Sequence, residues 1–260
     1  MIHFTQTYAR FSVLIISFLI SHLGFAKPDE NQLNRAYQYS LLDAARITPE
    51  EISYQLNAIH PDNNSLIWNE DKTKLLVVTW KSKNSYESYL KPETATSTSE
   101  KHVVWVTLAP QVQQFCQNLY KNYPKNGDKV TLRLKQYLGL NHTWNYDVFV
   151  ELWVSPDDLF RPCVDPDTQD SQCNLEFSSD IPEVRNINNY KTFYQNLYYS
   201  SFRQRGGAPW TGLGYTYNWD WHGLSEVGAS EYILVPGAHY EIKDAVPTLT
   251  YCDVTKDTVQ

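Results

Sequence analysis

Four cysteines, Cys116, Cys163, Cys173 and Cys252, restrict what this chain can fold into, because an exported protein keeps its cysteines in pairs. The first residues carry the export signal. Arg10 precedes an apolar run from Phe11 to Leu23, interrupted only by Ser12, Ser17, Ser21 and His22, and Gly24 and Ala26 place small residues where a signal peptidase cuts. That pattern predicts a signal peptide over residues 1–26, cleaved between Ala26 and Lys27. A helix of thirteen such residues reaches about 20 Å of a roughly 30 Å hydrocarbon layer, so a membrane anchor is the weaker expectation. No later stretch approaches eighteen apolar residues, and the mature chain is expected to be secreted or periplasmic with no transmembrane segment.

Four cysteines allow three pairings. Cys163 and Cys173 bracket the turn-forming stretch VDPDTQDSQ, which makes local closure the easiest pair and leaves Cys116 with Cys252 by elimination. The longer loop gains more, of order 4–5 kcal/mol in the chain-entropy description. A catalytic thiolate at Cys116 would need an unpaired cysteine beside a base, which an even count disfavours.

The 234 mature residues, 27–260, are enough for one domain with a real core. Apolar residues at Leu33, Ala36, Tyr37, Leu41, Ala44 and Ala45 predict an amphipathic helix over 30–47. Thr48, Pro49, Glu50 and Glu51 look like the start of a second one, carrying Ile52, Leu56 and Ile59 on one face as far as His60. LIWNEDKTKLLVVTW, 66–80, reads as a hairpin; KPETATSTSEK, 91–101, as a mobile surface loop and the only candidate domain boundary; HVVWVTL as a strand; and APQVQQFCQNLYKNYP as a helix with Cys116 on its buried side. KVTLRLKQYLGL, 129–140, fits both periods, and a helix ended by Gly139 is the expectation. YDVFVELWV is a strand and DDLF a helical turn. Tyr190, Phe193, Tyr194, Leu197, Tyr198 and Phe202 give the clearest helix, 189–203, and strands follow at 213–221, 231–235, 238–243 and 247–252. The fold class is therefore α+β, a mainly antiparallel sheet packed against several amphipathic helices and stabilised by disulfides, in a single domain over 27–260.

The full chain carries 22 basic and 29 acidic residues, a net charge of −7, and loss of Arg10 with the leader makes it −8. With no cluster of Lys or Arg, a nucleic-acid partner is not expected. Ser225 and Ser230 fail the nucleophile-elbow pattern, since Val227 and Tyr232 stand where glycine is needed. His60, His102, His142, His222 and His239 show no zinc spacing, and no metal or cofactor is expected. Asp165, Asp167, Gln169 and Glu176 fall on calcium-loop positions, but Asp170 occupies the glycine position and Pro166 stiffens the second, so an exposed disulfide-closed loop is preferred.

The stretch GYTYNWDW remains. Tyr215, Tyr217, Trp219 and Trp221 alternate with Thr216, Asn218 and Asp220, which on a strand puts the aromatics on one face and the polar groups on the other. In one reading the aromatics are buried against helix 189–203. In the other the row is partly exposed as a ligand platform of Tyr215, Tyr217, Trp219 and Trp221, with Asn218, Asp220 and His222 fixing hydroxyl groups. The functional expectation is a non-enzymatic binding protein that recognises a glycan, envelope or host-surface partner through this region. The alternative is a hydrolase of an extracellular polymer, with Asp220, Glu226 and Glu231 as acid and base.

Overall fold

The computed structural model describes residues 29–124 and 126–253; the expected leader over 1–26 lies outside them. Seven strands run β1 (Leu75–Lys81), β2 (Val104–Leu108), β3 (Val148–Val154), β4 (Leu159–Phe160), β5 (Tyr215–Tyr217), β6 (Val227–Leu234) and β7 (Tyr240–Pro247). They form one antiparallel sheet of order β4-β6-β2-β1-β3-β7, with β5 paired to β6. The helices are α1 (Glu30–Ala44), α2 (Lys83–Ser85, continued by a wider turn over Tyr86–Leu90), α3 (Ala109–Asn122), α4 (Gly127–Tyr137), α5 (Tyr190–Phe202) and α6 (Thr248–Tyr251). The fold is the α+β class expected.

Central strand β1 is buried at every position from Leu75 to Trp80, which accounts for its nearly continuous apolar sequence. Leu75 and Val77 pack with Val106, Leu108, Val150, Leu152, Tyr232 and Leu234 on one face. Leu76, Val78 and Phe149 on the other face meet Val112 and Cys116 of α3, Val130 and Leu134 of α4, and Tyr251 of α6. Both disulfides join as expected: Cys116 to Cys252, with Cα atoms 4.8 Å apart, and Cys163 to Cys173, with 6.3 Å.

The connection between β6 and β7 makes the sheet curl. Those strands stand on either side of β2, β1 and β3, about 19 Å apart if the sheet were flat at roughly 4.8 Å per strand, yet only Val235–His239 joins them. This connection is not extended, because the Ala238 N–H closes a turn on the Val235 carbonyl at 3.1 Å. The segment expected to be a loose loop, 91–101, is anchored here. Thr96 is buried; its N–H donates to the Ala238 carbonyl at 2.8 Å, and its hydroxyl donates to the Val235 carbonyl at 2.8 Å and accepts the Ala238 N–H at 2.9 Å. A polar composition hid a segment whose polarity is spent on backbone groups.

Other local expectations are corrected. The helix starting at Thr48 stops after a single 3-10 turn, Pro49–Glu51. Beyond it, the Leu56 and Ile59 N–H groups bond to the Ser171 and Thr168 carbonyls at 3.0 and 2.6 Å, and the Asn57 N–H to the Ser230 hydroxyl at 2.9 Å, so tertiary acceptors replace helical ones. The 66–80 hairpin is reduced to β1 and a single bridge, Trp68 to Leu75. The strand at 247–252 is instead α6, whose turn carries Cys252 to Cys116. The strand at 213–221 shortens to β5, because Asn218 and Trp219 donate to Glu226 and Gln136 carbonyls rather than to a regular ladder.

Thr96→Val is expected to cost about 1–3 kcal/mol in urea denaturation, because it removes both side-chain hydrogen bonds of a buried group, whereas exposed Thr98→Ala should stay within about 0.5 kcal/mol. Equal midpoints for the two variants would contradict the anchoring role.

Candidate ligand-binding clefts

The aromatic strand is fixed by the end of α4. That helix closes with Gly139 at φ +68°, its N–H on the Gln136 carbonyl at 3.3 Å and the Leu140 N–H on the Lys135 carbonyl at 2.8 Å. The aromatic segment adds donors to the carbonyls at this end: the Trp219 N–H joins Gly139 on Gln136 at 3.2 Å, the Thr216 hydroxyl reaches Tyr137 at 2.7 Å, and the Trp219 indole N–H reaches Leu140 at 3.0 Å. Gly228 lets the chains meet this closely, since a Cβ there would lie 2.3 Å from the Tyr137 carbonyl oxygen.

Tyr217 and Trp219 pack against Leu33, Tyr37 and Ala44 of α1, with the Tyr37 ring edge-on to Trp219 at 5.5 Å. Tyr217 and Trp219 are thus buried chiefly against α1, with Phe202 at the end of α5 packed on the same cluster. Tyr215 lies with Leu56, Leu213 and the Cys163–Cys173 bridge, its hydroxyl donating to the Glu51 carbonyl at 2.9 Å. The Tyr217 hydroxyl donates to Asp43 Oδ2 at 2.7 Å.

Tyr215, Tyr217, Asn218, Trp219, Asp220 and Trp221 all line one cleft of about 710 Å³, while His222 stands outside it. Tyr215, Tyr217 and Trp219 offer only 3–4% of their surface, so they form its wall, and exposed Trp221 and Tyr39 stand at its rim. Asp220 pairs with Arg133 at 3.3 Å; the Asn218 amide nitrogen donates to the Ser225 carbonyl at 2.9 Å, and its buried oxygen has no partner. Asp43, Glu51 and Glu226 bring carboxylate oxygens within 4.8 Å of one another. Burial, and then the charge of Asp43, push the Glu226 carboxyl above the usual range; burial, then the hydrogen bond to Asp43, pushes Tyr217 up. Sequence reasoning missed Asp43 and Glu51 as site residues. The signal was the i, i+4 spacing of Arg35, Tyr39 and Asp43 along α1.

The acidic loop does not gather its carboxylates in the same way. Asp170 binds buried Arg161 at 2.5 Å, and Asp165 accepts from Asn174 at 2.8 Å.

A second cleft, of about 910 Å³, opens on the opposite side of the aromatic strand, between the α4–β3 connection and α5, and Tyr217 lines both clefts. Trp105, Thr107 and Glu231 lie on the sheet strands that line it, with Trp144 and Trp210 on the connections. Glu231, directly opposite Thr107, is only 7% exposed, and its Oε1 is buried without a partner. Burial alone pushes its carboxyl up to about 8. Asp220 and Glu226 therefore line the first cleft and Glu231 the second.

Searches against protein families, curated proteins and solved structures find no match to this chain.

Glu231 links stability to pH. Between its ordinary value of 4.5 and about 8, the folded state keeps a proton that the unfolded chain has released, so stability falls as pH rises through this window and levels above it. Glu231→Gln, which mimics the protonated carboxyl, removes this slope. The stability difference between variant and wild type is expected to grow from pH 5 to pH 8 in urea titrations, by at most about 1.4 kcal/mol per pH unit; a constant difference would contradict the isolated burial of Glu231.

Proposed function

We propose that the protein is an exported, non-enzymatic binding protein that holds a glycan of an envelope or cell surface in the first cleft. One observation carries this reading: six residues of the alternating aromatic-polar stretch line a single concave site together with Glu51 and Glu226, whose carboxylates converge with that of Asp43. The chemistry suits a sugar. Exposed Trp221 and Tyr39 offer flat apolar faces to a pyranose ring, and Asp43, Glu51, Glu226 and the unpartnered Asn218 oxygen offer acceptors to its hydroxyl groups. Two disulfides, and described helices of which none is long and apolar enough to cross a membrane, fit an extracellular or periplasmic protein.

The raised Glu226 carboxyl beside Asp43 favours a second reading, hydrolysis of a polymer with Glu226 as acid and a neighbour as base. Oxygens within 4.8 Å are closer than the roughly 5–9 Å that glycoside hydrolysis uses, which puts binding first.

On a glycan array, Trp221→Ala and Glu226→Gln are each expected to weaken the best signal by about tenfold or more while leaving the circular dichroism spectrum unchanged. Identical profiles for wild type and folded Trp221→Ala would overturn the site. Release of new reducing ends, abolished in Glu226→Gln, would replace binding with hydrolysis.

A further inference from the structure

The second cleft contains two buried polar groups with no partner in the fold: Glu231 Oε1 and the Trp210 indole N–H, on side chains 7% and 6% exposed. Buried polar groups are rarely left unpaired, and side chains of both kinds lining one large cleft are what a ligand with its own donors and acceptors would satisfy. The cleft's volume of about 910 Å³ falls within the roughly 300–1,000 Å³ of small-molecule sites, and Trp105 and Trp144 add aromatic surface.

We propose that this cleft is a separate binding site for an uncharged ring compound bearing hydroxyl or amide groups, held by the Glu231 carboxyl and the Trp210 indole and packed on Trp105 and Trp144. No part of this rests on the first cleft, because Trp221, Glu226, Asp43 and Glu51 do not line this one.

The charges around the cleft argue for a neutral ligand. Lys81 comes from β1, Glu100 and Lys101 from the segment before β2, and the ionisable hydroxyls of Tyr146, Tyr199 and Tyr217 from the α4–β3 connection, α5 and β5. No cation contributes to the state of Glu231, which burial alone keeps protonated at neutral pH. With that carboxyl neutral, the remaining charged side chains do not sum to a negative field, so a cationic amine finds no electrostatic gain there. A neutral carboxyl both donates and accepts, as a hydroxyl or acetamido group requires.

The test is a pair of disaccharides sharing one skeleton: N,N′-diacetylchitobiose, which is uncharged, and its deacetylated diamine. Each is titrated into the mature chain with ¹⁵N-labelled tryptophan at pH 6.5 and pH 9, following indole signals assigned by Trp→Phe variants. The uncharged sugar is expected to shift the Trp105, Trp144 and Trp210 signals at pH 6.5 and to bind about tenfold more weakly at pH 9, where Glu231 has lost its proton. Glu231→Gln should bind equally at both pH values, losing the pH dependence of the wild type, and Trp221→Ala should leave these shifts unchanged. Absence of shifts at these three indoles, shifts confined to Trp221, or tighter binding of the diamine that Glu231→Gln abolishes would each overturn the proposal. Glu231→Gln keeps the side-chain volume, so the test does not depend on a truncated variant folding.

Discussion

The buried C-terminal end of α4 is the constraint on which the candidate sites depend. Gln136, Tyr137 and Leu140 present carbonyl groups to the protein interior, and the aromatic segment answers each with a donor from Thr216 or Trp219. Satisfying those carbonyls pins β5 at one depth and one rotation. Tyr217 and Trp219 then face α1, and the same wall separates the two clefts. The approach leaves no room for a side chain at Gly228. The aromatic row is thus first a structural element, and only its end at Trp221 is free to meet a ligand.

A second buried anchor sets the other side of the first cleft. Arg161 is fully buried, holds the Asp170 carboxylate and the Asp170, Gln172 and Asn57 carbonyls, and lies over the Tyr232 ring at 5.8 Å. A charge so enclosed is tolerated because acidic and carbonyl oxygens surround it. It fastens the disulfide loop to the segment after Glu51, while Tyr215 holds the Glu51 carbonyl itself. Glu51 is thereby delivered to Asp43 and Glu226, although its own segment has little regular structure.

What was legible in the sequence follows from locality. The runs LLVVTW and VFVELWV are central strands because burial on both faces leaves little room for polar residues, and the disulfide pairing followed from one easy local closure. α3 and α5 were readable from their apolar stripes, whereas the run that forms α4 fitted both periods and only Gly139 tipped it toward a helix. The errors came where long-range partners outbid local spacing. Ile52, Leu56 and Ile59 have helical spacing, yet the carbonyls of Ser171 and Thr168 take the N–H groups of Leu56 and Ile59 themselves. The 91–101 segment looked solvated because the groups that Thr96 serves lie 139 and 142 residues away. The site was half legible: alternation marked Tyr215 to Trp221, but Asp43 reaches Tyr217 across 174 residues, and no spacing rule spans that distance.

The two clefts share a wall but differ in chemistry, the first with converging carboxylates, the second with the buried, neutral Glu231 carboxyl among indole groups. The most direct measurement is a crystal structure of the mature chain soaked with the tightest glycan found by array. A sugar ring is expected to stack on Trp221, with hydroxyl groups bound to at least two of Asp43, Glu51 and Glu226. A ring bound elsewhere on the protein, with Trp221 and the three carboxylates untouched, would contradict it.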